Sequence, residues 1–216
     1  MTTRTEEGTD RTCAGAPIRG ATHLFSDDLI KGCEKFAASA KGAEDINSVR
    51  LFNTSCILFA VGAIEAKMNE WISLSAEIED AKIPTAFWVE LRNSQKSLPM
   101  IRKWNLIAAV HGGTCWDGGI EPFQSYDTIV ALRNELIHFK GLLLGKDEAP
   151  NRRIEGLMTQ LGIKRDATFV GDEVSSWVAD LLSHRELGNW AQINVRPFYD
   201  NVLELILGHS QLLARR

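Results

Sequence analysis

The chain has 216 residues, of which 44% are hydrophobic, and its 24 basic and 28 acidic residues leave a formal net charge of −4. This length and composition can bury one good hydrophobic core, so a single folded domain is expected. The negative net charge argues against a protein that binds nucleic acid through general positive charge, so any contact with RNA has to be local.

The first segment, residues 1–20, is rich in threonine, glycine and charged residues and has no apolar stretch typical of a signal peptide. We therefore predict a disordered leader there, followed by one helical domain over residues 21–216. The four cysteines are far apart in the sequence, with no C-x-x-C motif and no histidine at metal-ligand spacing. Rossmann and phosphate-loop glycine patterns are also absent. These features predict no metal site, no bound cofactor and a reduced, cytoplasmic setting.

Two helices are predicted in the first third of the chain. Apolar residues recur at helical spacing over His23–Ala40, with Ser26, Asp27 and Asp28 as candidates for the N-cap. A long second helix is predicted from Ile46 to about Glu79, because this stretch contains no proline.

The second helix carries an isolated charge beside its most apolar part. That part, Cys56–Ile64, is too short to span a bilayer, so we predict a core helix and no membrane contact. Glu65 follows it and is the only charged residue between Arg50 and Lys67. A carboxylate in such surroundings needs either a cation beside it or a solvent-facing edge of the helix.

Two shorter helices are predicted next, each opened by a proline. Pro84 precedes a helix over Thr85–Lys96, and Pro99 precedes another. The glycine-rich stretch His111–Pro122 lacks the phosphate-binding loop pattern, so we interpret it as a connection in which Trp116 is an anchor.

The central helix is predicted to begin with Ser125 as its N-cap and to end near Gly141. Projected at about 100° per residue, its apolar residues form two neighbouring stripes, and Arg133 falls between them. Asn134 and His138 are four residues apart and share the face turned away from the main stripe. The helix therefore offers a permanent cation, a hydrogen-bonding amide and a side chain of the type that titrates near neutrality. This set is suited to handling a phosphodiester.

The isolated charges of the second and the central helix predict a contact between them. An unpaired guanidinium within an apolar face is costly, and Arg133 is the cation most in need of a partner. We therefore predict that the two helices pack antiparallel with Glu65 and Arg133 in ion-pair range, directly or through Asn134. The alternatives are a solvent-facing Glu65, an Arg133 in another structural ion pair and a His138 that is an ordinary surface residue.

Helices are also predicted to close the chain. The stretch Gly145–Gly171 mixes charged and apolar residues, which indicates a short helix and then a flexible or strand-like segment at Ala167–Val170. Closing helices are predicted over Asp172–Leu182 and Asn189–Leu213, and Pro197 either kinks the last helix or begins it.

Two stretches resemble a known family. The central helix contains Arg133–His138 (RNELIH), which matches the R-N-x-x-x-H form of the R-x(4–6)-H motif of HEPN-like domains. These are all-helical proteins of prokaryotic toxin–antitoxin and defence systems and of RNA processing. The second helix contains Ala63–Trp71 (AIEAKMNEW), which looks like their long early helix with its acidic residue. The resemblance covers Leu51–Leu143 and, loosely, the last helix, and it implies an all-α, HEPN-like antiparallel bundle.

The resemblance also implies a function and a set of roles. The family suggests a metal-independent, toxin- or defence-like endoribonuclease that acts as a homodimer and cleaves RNA through attack by the 2′-hydroxyl. His138 would act as the general acid or base, and Arg133 would hold the phosphate. Asn134 would orient one of these groups, and Glu65 would position Arg133. An antitoxin or a defence-system protein is the further partner that this family suggests.

One position departs from part of the family. Toxins that are silenced by nucleotidyl transfer carry a tyrosine two residues after the motif histidine, where this chain has Lys140. This difference puts a nucleotidyltransferase antitoxin in doubt but does not affect the cleavage chemistry. Two alternatives stay open, namely a non-catalytic HEPN-like module that binds RNA, a nucleotide or a protein partner, and a helical scaffold unrelated to the family.

Overall fold

The computed structural model describes residues 24–77, 83–138, 150–163, 169–170, 173–174 and 176–207. This part of the chain is all-helical apart from one hairpin of two-residue strands, which confirms the predicted all-α class. The predicted leader over residues 1–20 lies outside the described residues. In order, the elements are α1 (Phe25–Gly42), α2 (Ile46–Ser75), α3 (Thr85–Ser94), α4 (Met100–His111), α5 (Phe123–Ile137), α6 (Arg152–Gln160), β1 (Phe169–Val170), β2 (Glu173–Val174), α7 (Trp177–Leu182) and α8 (Leu187–Leu207).

Most helices lie close to their predicted positions, but the start of α1 differs. Leu24 is its N-cap, and no side-chain cap is formed there. The prediction that Ser26, Asp27 or Asp28 caps this helix is wrong, because Ser26 lies within the first turn and is fully buried. Its backbone N–H donates to the carboxylate of Glu70 at 2.8 Å. The neighbouring helix α2 therefore supplies the cap.

The other helices are arranged around α2. It contacts α1, α3, α5, α7 and α8, and Asp45 caps its start by accepting the N–H of Ser48 at 2.9 Å. Cys33 and Cys56 are far apart in the sequence, yet their sulfur atoms lie 3.5 Å apart in the core between α1 and α2. This hydrogen bond, together with burial, raises the pKa of Cys33 well above its usual range, so its thiol stays protonated.

By length and composition, α2 is also apolar enough to cross a membrane. The most apolar window of its 30 residues has a mean hydropathy of 1.4, and 44% of that window is buried inside the protein. Core helices of soluble proteins have the same property. The expectation of no membrane contact therefore stays a prediction.

Aromatic side chains hold the connection between α4 and α5 against the core. The ring centroid of Trp116 lies 4.7 Å from that of Phe123 and 5.4 Å from that of Trp104, which confirms the predicted anchor. At the start of this connection the backbone of Gly113 passes close to α8. A Cβ atom on Gly113 would lie 1.5 Å from the carbonyl oxygen of Ile206, so no larger residue fits there. These contacts place the start of α5.

The limits of α5 differ from the predicted ones at both ends. The helix begins at Phe123, directly after a proline, which lacks an N–H and suits the start of a helix. Ser125 is therefore not the N-cap but lies inside the helix, where its hydroxyl donates to Glu121 at 2.8 Å. The helix ends at Ile137, and His138 is its C-cap. The histidine thus stands at the end of the helix and not in its interior.

Helices α6 and α8 complete the surroundings of α5. Asn151 caps α6, as its side chain accepts the N–H of Arg153 at 3.1 Å. The Arg153 guanidinium forms an ion pair with Asp127 at 2.9 Å, which joins α6 to α5. Pro197 lies inside α8, so it does not begin the last helix. One hydrophobic core contains residues from all eight described helices.

Candidate functional site

Three of the four predicted site residues lie together at the C-terminal end of α5. Arg133 is half-buried, whereas Asn134 and His138 are exposed. Nη1 of Arg133 donates to Oδ1 of Asn134 at 3.0 Å. The backbone N–H of His138 donates to the carbonyl oxygen of Asn134 at 2.9 Å. The guanidinium is thus bonded to the amide, whereas the bond from His138 is the ordinary backbone bond at the end of a helix.

These groups keep most of their hydrogen-bonding capacity. The bond to Asn134 is the one side-chain bond of Arg133 within the described residues, and the His138 imidazole has none there. A guanidinium has five N–H donors and an imidazole has two nitrogen atoms, so both can bind a ligand without breaking present contacts. Ile137 is 50% exposed between them. The end of α5 is thus a polar site beside an uncovered apolar side chain.

The fourth predicted residue, Glu65, does not pair with Arg133. Helices α2 and α5 pack together as predicted, but no hydrogen bond or ion pair joins the two side chains in the part of the chain that the structure describes. Both are only half-buried. Water can therefore solvate each charge, and no large desolvation cost drives the pair together.

A buried tyrosine lies close to both of these charges. Tyr126 of α5 is buried, and its hydroxyl has no hydrogen-bond partner among the described residues. Burial raises the pKa of Tyr126 well above its usual value, and the carboxylate of Glu65 raises it further. The guanidinium of Arg133 acts in the opposite direction. Both charges therefore act on one hydroxyl without contacting each other.

Glu65 also acts electrostatically on Lys103 of α4. Lys103 is buried, and its ammonium group donates to Oδ1 of Asn69 at 2.8 Å. Burial lowers the pKa of Lys103, and attraction by Glu65 opposes this shift. A buried lysine with a lowered pKa that is hydrogen-bonded to an amide is a feature that functional sites share with structural networks.

Sequence reasoning did not single out Lys103, Asn69 or Tyr126. The signal for Lys103 was present, since it precedes Trp104 and stands four residues before Ile107 on the apolar face of α4. A lysine at such a position points inward unless its stem reaches solvent. Nothing in the sequence pairs Lys103 of α4 with Asn69 of α2, because that contact depends on how the helices pack.

Two cavities lie elsewhere along α5. The larger, about 620 Å³, lies between α5, α6 and α8, and its lining includes Gln124, Arg152, Gln160 and Trp190. The other, about 550 Å³, is mostly apolar, and its only charged lining residues are carboxylates. Neither is lined by the residues at the end of α5. In the described ranges, no group of three or more histidine, cysteine, aspartate or glutamate side chains is placed to hold a metal ion.

No protein-family model matches this chain, and no curated protein or solved structure matches it either. Its function must therefore be argued from the chemistry and the placement of its own residues.

Proposed function

We propose that this protein is a metal-independent endoribonuclease of the HEPN-like type, with Arg133, Asn134 and His138 as the groups that contact the RNA. One observation carries the proposal, namely that Arg133, Asn134 and His138 lie close in sequence at the C-terminal end of α5, with the guanidinium bonded to the amide and with Asn134 and His138 exposed. The long helix α2 packed against this motif helix also fits a HEPN-like bundle.

The proposed reaction needs a proton acceptor, a proton donor and a holder for the phosphate. His138 takes the proton from a ribose 2′-hydroxyl, whose oxygen then forms a bond to the phosphorus. The bond from phosphorus to the 5′-oxygen breaks, and that oxygen receives a proton. The products are a 2′,3′-cyclic phosphate end and a 5′-hydroxyl end. Arg133 stabilises the negative charge that develops on the phosphoryl oxygens, and Asn134 holds the guanidinium in place.

Glu65 has an indirect part in this proposal. It does not bond to Arg133 among the described residues, but it shares with Arg133 an effect on the buried hydroxyl of Tyr126. Lys103 and Asn69 form a separate polar contact between α4 and α2. We assign Glu65 as a positioning residue, whose charge shapes the field at the end of α5 without contacting the RNA.

We also propose that the site is completed by a second copy of the chain. One protomer offers one imidazole at this site, whereas cleavage needs a base for the nucleophile and an acid for the leaving group. A two-fold axis would bring a second Arg133 and His138 to the same phosphate. The exposed Ile137 between these residues is an apolar group that such an interface would cover. Light scattering should find a dimer, and a monomer at working concentration would contradict this step.

The proposal is tested by incubating the purified protein with total RNA in the presence of EDTA. We expect cleavage that leaves 2′,3′-cyclic phosphate ends, no cleavage of DNA with the same sequence, and loss of most activity in His138→Ala. General acid–base help of this kind is typically worth about 10²–10⁴ in rate. Arg102→Ala is the control, since Arg102 is exposed on α4 and lines neither cavity. Cleavage that requires magnesium, includes DNA or persists in His138→Ala would overturn the proposal.

A second candidate is a non-catalytic module that binds RNA or a partner protein through the same residues. The observation that favours it is that Asn134 and His138 are exposed and line neither of the two cavities described above. Binding of RNA that depends on Arg133, without cleavage by wild-type protein, would favour this candidate. In either case, an antitoxin or defence-system protein that covers the end of α5 is the partner we propose.

A further inference from the structure

The larger cavity has features that the proposed reaction does not use. It has a volume of about 620 Å³, within the range of roughly 300–1,000 Å³ typical of small-molecule sites. Helix α5 forms one wall, α6 forms another, and Trp190 of α8 contributes a large aromatic side chain. Polar and apolar groups are both present, so the cavity suits a ligand of mixed character.

One cation in this cavity is available to a ligand. Arg153 is already held by Asp127 at 2.9 Å. The carboxylate of Glu121 likewise accepts the hydroxyl of Ser125 at 2.8 Å. Arg152 is exposed and has no bonded partner in the part of the chain that the structure describes. Its guanidinium can therefore bind a phosphate group through two parallel hydrogen bonds.

Two uncommitted amides face the same space. The side chains of Gln124 and Gln160 line the cavity and form no hydrogen bond within the described residues. Each amide offers a donor and an acceptor, which is the combination presented by the edge of a nucleobase. Trp190 is buried and contributes an aromatic side chain to the cavity wall, against which a base can pack.

We propose that this cavity binds one nucleotide, with Arg152 on its phosphate and with Gln124 and Gln160 on the edge of its base. The same chemistry is offered by a free nucleoside monophosphate and by one nucleotide of an RNA strand. The RNA form of the proposal rests on the proposed function, whereas the binding of a free nucleotide does not.

The position of the cavity favours a nucleotide within the RNA substrate. Gln124 and His138 lie roughly 40° apart around α5, at about 100° per residue, and roughly 21 Å apart along its axis. They therefore lie on nearly the same side of one helix. A single strand that runs along α5 reaches the cavity at one end and His138 at the other.

Two independent variants test the site, and each has a matched control. Arg152→Ala removes the available cation, and Arg102→Ala removes an exposed arginine that does not line the cavity. Gly156→Met fills the cavity, since a Cβ atom on Gly156 meets nothing within 4 Å. Gly42→Met is its control, because Gly42 is equally open and lies in α1. All four sites are exposed, so these variants should fold.

Binding is measured by calorimetry with AMP, GMP, CMP and UMP, and by fluorescence anisotropy with a labelled single-stranded RNA. The His138→Ala background keeps the RNA intact. We expect Arg152→Ala and Gly156→Met each to weaken RNA binding about tenfold, while both controls bind as the background does. Mononucleotide binding that the same two variants abolish, with RNA binding unchanged, would support the cavity and assign it to free nucleotides.

Unchanged binding of both ligands in Arg152→Ala and Gly156→Met would overturn the proposal. This result is distinct from failure of the proposed function. If wild-type protein does not cleave RNA but binding still depends on Arg152, the cavity stands and the endoribonuclease proposal fails. If wild-type protein cleaves RNA but both variants bind normally, the endoribonuclease proposal stands and the cavity proposal fails.

Discussion

Two polar regions of this protein differ in how far their hydrogen-bonding groups are already used. One is the Tyr199 network of Ser26, Asp27, Lys67, Glu70 and Tyr199, which joins α1, α2 and α8. The Tyr199 hydroxyl donates to Asp27 and lies 2.9 Å from Oγ of Ser26, which in turn donates to Glu70. The ammonium group of Lys67 lies over the tyrosine ring, 4.5 Å from its centroid. These contacts hold three helices together.

The end of α5 has the opposite character. Arg133 makes one side-chain bond within the described residues, and Asn134 and His138 are exposed. Titratable and charged groups in a cluster therefore do not by themselves mark a functional site. Groups whose partners are all within the protein stabilise the fold, whereas exposed groups with unused donors and acceptors are available to a ligand.

The largest expected effect is the loss of the proposed RNA cleavage in Arg133→Ala. RNA cleavage should fall roughly 10²–10³-fold, as when one donor to a developing oxyanion is removed. The free energy of unfolding should change by less than about 1 kcal/mol, because Arg133 bonds to an exposed neighbour and not to a buried carboxylate. Single-turnover kinetics and urea unfolding measure the two effects. A loss of roughly 3–5 kcal/mol would instead indicate a buried ion pair.

The next effect concerns the two tyrosines of the chain, which allow a matched pair of substitutions. Tyr199→Phe should lower the free energy of unfolding by about 1–3 kcal/mol, because Asp27 and Ser26 lose a buried partner. Tyr126→Phe removes a buried hydroxyl without a partner among the described residues, so stability should stay the same or rise. Urea unfolding measures both variants, and equal losses in the free energy of unfolding would contradict the predicted difference between the two tyrosines. RNA cleavage should be unaffected by Tyr199→Phe.

A smaller effect concerns which cation interacts more strongly with Glu65. In a double-mutant cycle of stability, Glu65→Gln and Lys103→Met should couple by roughly 0.5–1 kcal/mol, the lower part of the range for side chains in one network. Glu65→Gln and Arg133→Ala should couple less, since no bond joins those side chains in the described part of the chain. A stronger coupling of Glu65 to Arg133 would support the ion pair that the sequence predicts and contradict the present assignment.

The smallest expected effect is a dependence of the free energy of unfolding on pH. The hydrogen bond from Tyr199, helped by nearby Lys67, lowers the pKa of Asp27 below its ordinary value of 3.8. The contribution of Asp27 to stability is therefore complete above this value and is lost as the pH falls below it. Urea unfolding at about pH 5 and about pH 3 should show that the free energy of unfolding falls less between these two pH values in Tyr199→Phe than in wild type. An identical loss in both proteins would contradict the role of this bond.

Local features of the sequence were enough to predict the helices and to select the residues of the candidate site. Apolar periodicity predicted the helical elements, and prolines predicted the starts of α3 and α4. These features are local, because they depend on the period of one helix and on residues next to its ends. The placement of Arg133, Asn134 and His138 at one end of α5 is local for the same reason, and the spacing of four residues puts Asn134 and His138 on one face.

Contacts between helices depended on the tertiary structure. It paired Lys103 of α4 with Asn69 of α2, and it assigned the cap of α1 to Glu70. It also brought Cys33 and Cys56 together and formed the cavity between α5, α6 and α8. Such contacts depend on the rotation and spacing of whole helices. Rotation and spacing are set by close packing of the shared core, so no single segment of the sequence contains them.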